Sequence, residues 1–145
     1  MKLHIMVLGS ALLLLGADPS PEAVQKEMAV LQGTWKITTA EQDGQADKSL
    51  KDATVTIGGD YFTTRVGDKP LRHGTLRLDP TKKPKTIDLI YADGPQKGKT
   101  SQGIYNLHRD SWILFFSIPG KDRPAKFDRR VTIGQMFMVL RKAGK

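Results

Sequence analysis

The stretch most like a chemical motif is Gly94-Pro95-Gln96-Lys97-Gly98-Lys99-Thr100. Glycines around a lysine suit a phosphate cradle, in which backbone amides and a helix N-terminus converge on the anion. Here the spacing between the glycines is one residue short, and Thr100 opens an alternating strand instead of a helix, so a hairpin turn is expected. His73 and His108 sit far apart, without carboxylates at metal-ligand spacing, and both read as surface residues. Ser101, Ser111 and Ser117 lack the strand-turn-helix setting of an activated serine. Asp43, Asp60, Asp68, Asp79, Asp93, Asp110 and Asp122 fall in turn sequences, where a short acceptor satisfies nearby amides. A catalytic pair would need two of them converging in a cleft. The absence of cysteine removes disulfides, thiol chemistry and cysteine-ligated metals together. The expectation is therefore no enzyme, no catalytic residues, no cofactor and no metal.

Binding chemistry has more support. The net charge is +8, and much of it lies in Lys82-Lys83-Pro84-Lys85 and in Lys97, Lys99, Lys121, Arg123, Lys126, Arg129 and Arg130. Either these cations are solvated loops that keep the chain soluble, or one end of the fold gathers them into a rim that attracts anions. Large apolar residues at alternating positions supply the other half of an amphipathic site. Val55, Ile57, Phe62, Leu76, Leu89, Tyr105, Leu114 and Phe116 would face a common interior.

The elements that must position these residues are mostly strands. Met1 to Ala17 has a positive Lys2, an apolar run from Ile5 to Leu15 and small residues at Gly16-Ala17, the pattern of a cleaved export signal. That run of about eleven residues is short of the roughly 20 that span a bilayer, so no integral membrane segment is expected once the signal is removed. Residues 18–30 read as a linker and a short helix, with Ser20 as N-cap, Pro21 in its first turn and Val24, Met28 and Leu31 as one apolar stripe. Gly33 ends the helix, and the remaining chain, 31–145, is one domain.

Trp35, Ile37 and Thr39 are expected on one face of the first strand. Asp47 to Asp52 allows a single helical turn. Strands follow at Thr54–Ile57, Tyr61–Val66, Arg72–Leu78, Ile87–Tyr91, Thr100–Leu107, Trp112–Ser117 and Gln135–Arg141, which makes eight. Trp112–Ser117 is apolar on both faces, so either the helix or the loop Pro119 to Gly134 must cover its outside. No amphipathic helix separates any two strands, which favours an all-β, antiparallel up-and-down barrel, with a sandwich as the alternative.

With its strands in place, the chain resembles a family of uncharacterised exported lipocalin-like domains abundant in planctomycete bacteria. The carriers are Leu31-Gln32-Gly33-Thr34-Trp35, the run Leu78 to Leu89, Gly94 to Lys99, Gly103-Ile104-Tyr105 and Pro119 to Pro124. Trp112 and Phe115 stand where that family often has a leucine and a cysteine, and both enlarge side chains. The resemblance implies a barrel and no assigned activity.

The chain is also similar to classical lipocalins at Gly33-x-Trp35 and at Arg141, where that superfamily packs an arginine across the tryptophan. Gly33, Trp35 and Arg141 would then form a structural barrel floor. These readings predict a secreted or periplasmic monomer that binds a small amphipathic or anionic molecule through Phe62, Leu76, Leu89, Tyr105, Leu114 and Phe116, and no nucleic acid. The alternative is a filled barrel whose basic loops hold an envelope polymer or another protein.

Overall fold

A computed structural model describes residues 20–128 and 133–144. The expected export signal lies outside the described residues, as do Arg129 and Arg130. The chain order is α1 (Pro21–Leu31), β1 (Gly33–Gln42), β2 (Gln45–Ala46), a 3₁₀ turn (Lys48–Leu50), β3 (Ala53–Gly58), β4 (Tyr61–Val66), β5 (Lys69–Asp79), β6 (Lys85–Tyr91), β7 (Thr100–His108), β8 (Ser111–Ser117) and β9 (Gln135–Lys142). From β3 onward each strand pairs antiparallel with the next, β1 pairs with β3, and β9 returns to β1. That last pairing closes a ring of eight strands and excludes an open sandwich. β2 lies outside the ring as a two-residue return on the end of β1.

Closure sorts the connections between two ends. The floor end holds α1, the β3–β4 turn, the Pro80–Pro84 loop and the β7–β8 turn. The mouth end holds the β1–β2 turn, the 3₁₀ turn, the β4–β5 turn, the Ala92–Lys99 loop and the two ends of the β8–β9 connection, where Ile118 N donates to Gly134 O. The basic residues are therefore divided: Lys82, Lys83 and Lys85 lie at the floor, while Lys97, Lys99 and Lys121 lie at the mouth. Among the described residues the basic loops do not all gather at one end, because hairpin connections alternate ends around an up-and-down barrel.

Period-two alternation packs Val55, Ile57, Phe62, Leu76, Leu78, Ile87, Leu89, Leu114, Phe116 and Leu140 into one core. β1 departs from it. Ile37 pairs with Leu140 but Thr39 with Val139, so Thr38 is an extra, bulged residue. Beyond the bulge the faces exchange. Thr39 pairs with a residue on the outer face, and Ala40 packs against the core instead.

Helix α1 has Pro21 at its start, but Ser20 makes no side-chain cap. Its attachment comes from the other end: Met28 and Leu31 join the core, and Gln32 exchanges two 2.8 Å hydrogen bonds with the backbone of Gly59. Gly33, at φ 106°, takes a turn that side chains with a Cβ disfavour, and so leads the helix into β1. The outer face of β8 is covered by the loop and not by α1. Phe127 packs on Phe115 with ring centroids 6.5 Å apart, Ser117 Oγ donates to Asp122 O at 2.7 Å, and Arg123 donates to Ile87 O, Gly103 O and Asp88 Oδ1.

Candidate functional site

Inside the barrel is a cavity of about 310 Å³. Phe62, Leu76, Leu89, Leu114 and Phe116 line it, as the alternation requires, together with Ile37, Val55, Tyr91, Met136 and Met138. Gln42, Asp47, Ser49, Thr64 and Arg72 give its mouth a polar edge. The wall is thus apolar in depth and polar where the chain turns.

Local backbone irregularity builds part of that mouth. In the β4–β5 ladder Thr64 pairs with Arg72 but Arg65 with Pro70, which leaves Leu71 bulged. A bulge breaks the two-residue alternation, so both Leu71 and Arg72 reach the cavity edge. The Arg72 guanidinium lies 5.6 Å from the centre of the Tyr91 ring, a cation–π distance. Across the mouth, the Asp47 carboxylate accepts from the Ser49 amide and hydroxyl, which fixes the 3₁₀ turn. Arg72 brings a cation to this polar edge.

At the base, Trp112 contacts Trp35 edge to face, with centroids 5.5 Å apart. Trp35 Nε1 donates to Leu31 O at 2.8 Å. Trp112 is 1% exposed, lines the cavity, and its Nε1 has no hydrogen-bond partner. An unpaired buried N–H costs about 1–3 kcal/mol, which the packing of Trp112 at the base must offset.

Two expected site residues stand elsewhere. Tyr105 is buried below the cavity, under α1, and does not line it. Its hydroxyl donates to Glu27 Oε1 at 3.2 Å, and Lys85 Nζ pairs with that same oxygen at 2.7 Å. Burial first, and the Glu27 carboxylate second, push the Tyr105 phenol above its ordinary range.

Arg141 is not the cation of the floor. Trp35 pairs with Lys142 and Lys36 with Arg141, so Arg141 sits on the outer face and is exposed. Lys142 takes the place instead: its Nζ lies 4.9 Å from the centre of the Trp35 ring and donates to the carbonyls of Val30 and Gln32. Gly33 and Trp35 do lie at the closed end.

The glycine-lysine stretch forms a hairpin loop, closed by Gly98 N donating to Tyr91 O at 2.8 Å, and leads into β7. Among the described residues no three of His, Asp and Glu converge as metal ligands. Arg72, Trp112 and Lys142 are not among the site residues expected from the sequence. Arg72 and Trp112 owe their positions to a bulge and an interior depth that alternation alone does not supply, whereas Lys142 continues the inward alternation of β9. Comparison with family models, curated proteins and solved structures gives no match, so the fold rests on its own topology.

Proposed function

We propose that this chain is an exported, lipocalin-like carrier that reversibly holds one small amphipathic molecule. The observation that supports this reading is the cavity: about 310 Å³, apolar in depth, polar at one open end. Ligand sites are typically concave, mostly apolar and furnished with few orienting polar groups. At ~30 Å³ per water-sized atom, the space suits an apolar body of about ten non-hydrogen atoms. The head group stays at the mouth beside Arg72, and the apolar body lies among Leu89, Leu114 and Phe116.

The lipocalin likeness rests on Gly33-x-Trp35 at a helix-closed floor, with Lys142 in the role that arginine takes in that superfamily. The rival reading, a filled barrel whose basic loops hold an envelope polymer or another protein, has less support, because the barrel holds this cavity. Native mass spectrometry of the protein purified without denaturant tests carriage. A discrete small-molecule adduct that leaves on collisional activation is expected. A bare polypeptide mass, with Trp112 emission unchanged by added amphiphiles, would overturn it.

A further inference from the structure

On the outer wall, away from the cavity, Tyr61, His73 and Asp93 form a relay. Tyr61 and His73 come from adjacent strands β4 and β5, and Asp93 from the turn just after β6. Both carboxylate oxygens of Asp93 bind His73: Oδ1 accepts from its backbone amide at 3.1 Å, and Oδ2 pairs with Nε2 at 3.3 Å. A carboxylate oxygen beside Nε2 favours the tautomer with the ring proton there, which leaves Nδ1 to accept. Nδ1 lies 3.1 Å from the Tyr61 hydroxyl, and the two rings stack at 27° with centroids 5.8 Å apart.

The register sets Thr75 directly opposite Tyr61 and Thr63 directly opposite His73, so no second base or acid faces the pair across the β4–β5 ladder. Tyr61 is 43% exposed, whereas Tyr91 and Tyr105 are buried at 4% and 1%.

We propose that Tyr61 is a covalent acyl-acceptor site, with His73 as its general base, Asp93 as the residue that positions His73, and an activated ester as the donor class. A nucleophile touching a base that a third group orients is the arrangement that activates weak hydroxyl nucleophiles. The Tyr61 oxygen adds to the ester carbonyl while its proton passes to His73 Nδ1. The adduct then expels the alcohol-side oxygen with the bonding pair, the acyl group remains on Tyr61 as an aryl ester, and His73 gives its proton to solvent.

The test is p-nitrophenyl acetate with the full chain, read as nitrophenolate release and as acetyl mapped to Tyr61 by peptide mass. The acetyl on Tyr61 should form at least about tenfold faster than on N-acetyltyrosinamide, and the excess release should vanish in Y61F. H73F keeps a stacking ring but no base and should fall to the Y61F level. D93N should lose several-fold, with D93E recovering part of it, and unchanged near-ultraviolet circular dichroism confirms the fold of each. If release is the same in wild type and Y61F, or Tyr61 acetylation persists in H73F and D93N, the site is not activated and the proposal fails.

Discussion

Lys142 joins three parts of the floor. Its ammonium lies over Trp35 and caps the carbonyls of Val30 and Gln32 where α1 ends. A cation at a helix C-terminus is favoured by the dipole as well as by the hydrogen bonds. A cation–π contact of roughly 0.5–1 kcal/mol, with two charge-assisted bonds at a half-exposed site, makes the expected cost of K142M about 1–2 kcal/mol. R141A should change stability by less than about 0.5 kcal/mol. Urea unfolding followed by tryptophan emission compares them, and a larger loss in R141A would contradict the placement. The sequence did carry this signal. Met136, Met138 and Leu140 set an inward phase that reaches Lys142 at the next step, whereas Arg141 is out of phase with it.

At the scale of elements, α1 is the lid of the floor, and its polar tie is the Glu27 carboxylate shared by Tyr105 and Lys85. Tyr105 ionises at about 10 in the unfolded chain and higher in the folded one. Above pH 10 the unfolded state therefore binds fewer protons, and the stability that the neutral phenol contributes is lost as pH rises toward the folded value. The slope from this one group is at most about 1.4 kcal/mol per pH unit. Y105F should cost about 1 kcal/mol at pH 8, and its unfolding free energy should converge on that of wild type between pH 10 and 11. A difference that does not change with pH would refute this coupling. Alternation put Tyr105 on the inward face, which is right. Its depth was not legible, because that depends on a helix residue 78 positions away.

For the whole molecule, the ring was readable because nearly every strand pairs with its sequence neighbour and the turn residues mark each reversal. The β1–β9 closure is the one long-range pairing, and the matching inward runs of the first and last strands foreshadow it. Less was legible of the site. Whether eight inward-facing rows fill a barrel or leave a hole depends on summed side-chain volume and on bulges at Thr38 and Leu71, which shift the rows by one residue. The cavity that results, with Arg72 at its edge, is the basis of the carrier proposal.

Isothermal titration of decanoate and decanol into wild type, R72Q and V55W tests that proposal most directly. A single saturable site with a negative heat-capacity change is expected in wild type for both ligands. R72Q should weaken decanoate about three- to tenfold and leave decanol unchanged. V55W, which fills the cavity while the fold persists by near-ultraviolet circular dichroism, should abolish binding of both. Absence of saturable heat in wild type, or equal binding by folded V55W, would contradict carriage in the barrel.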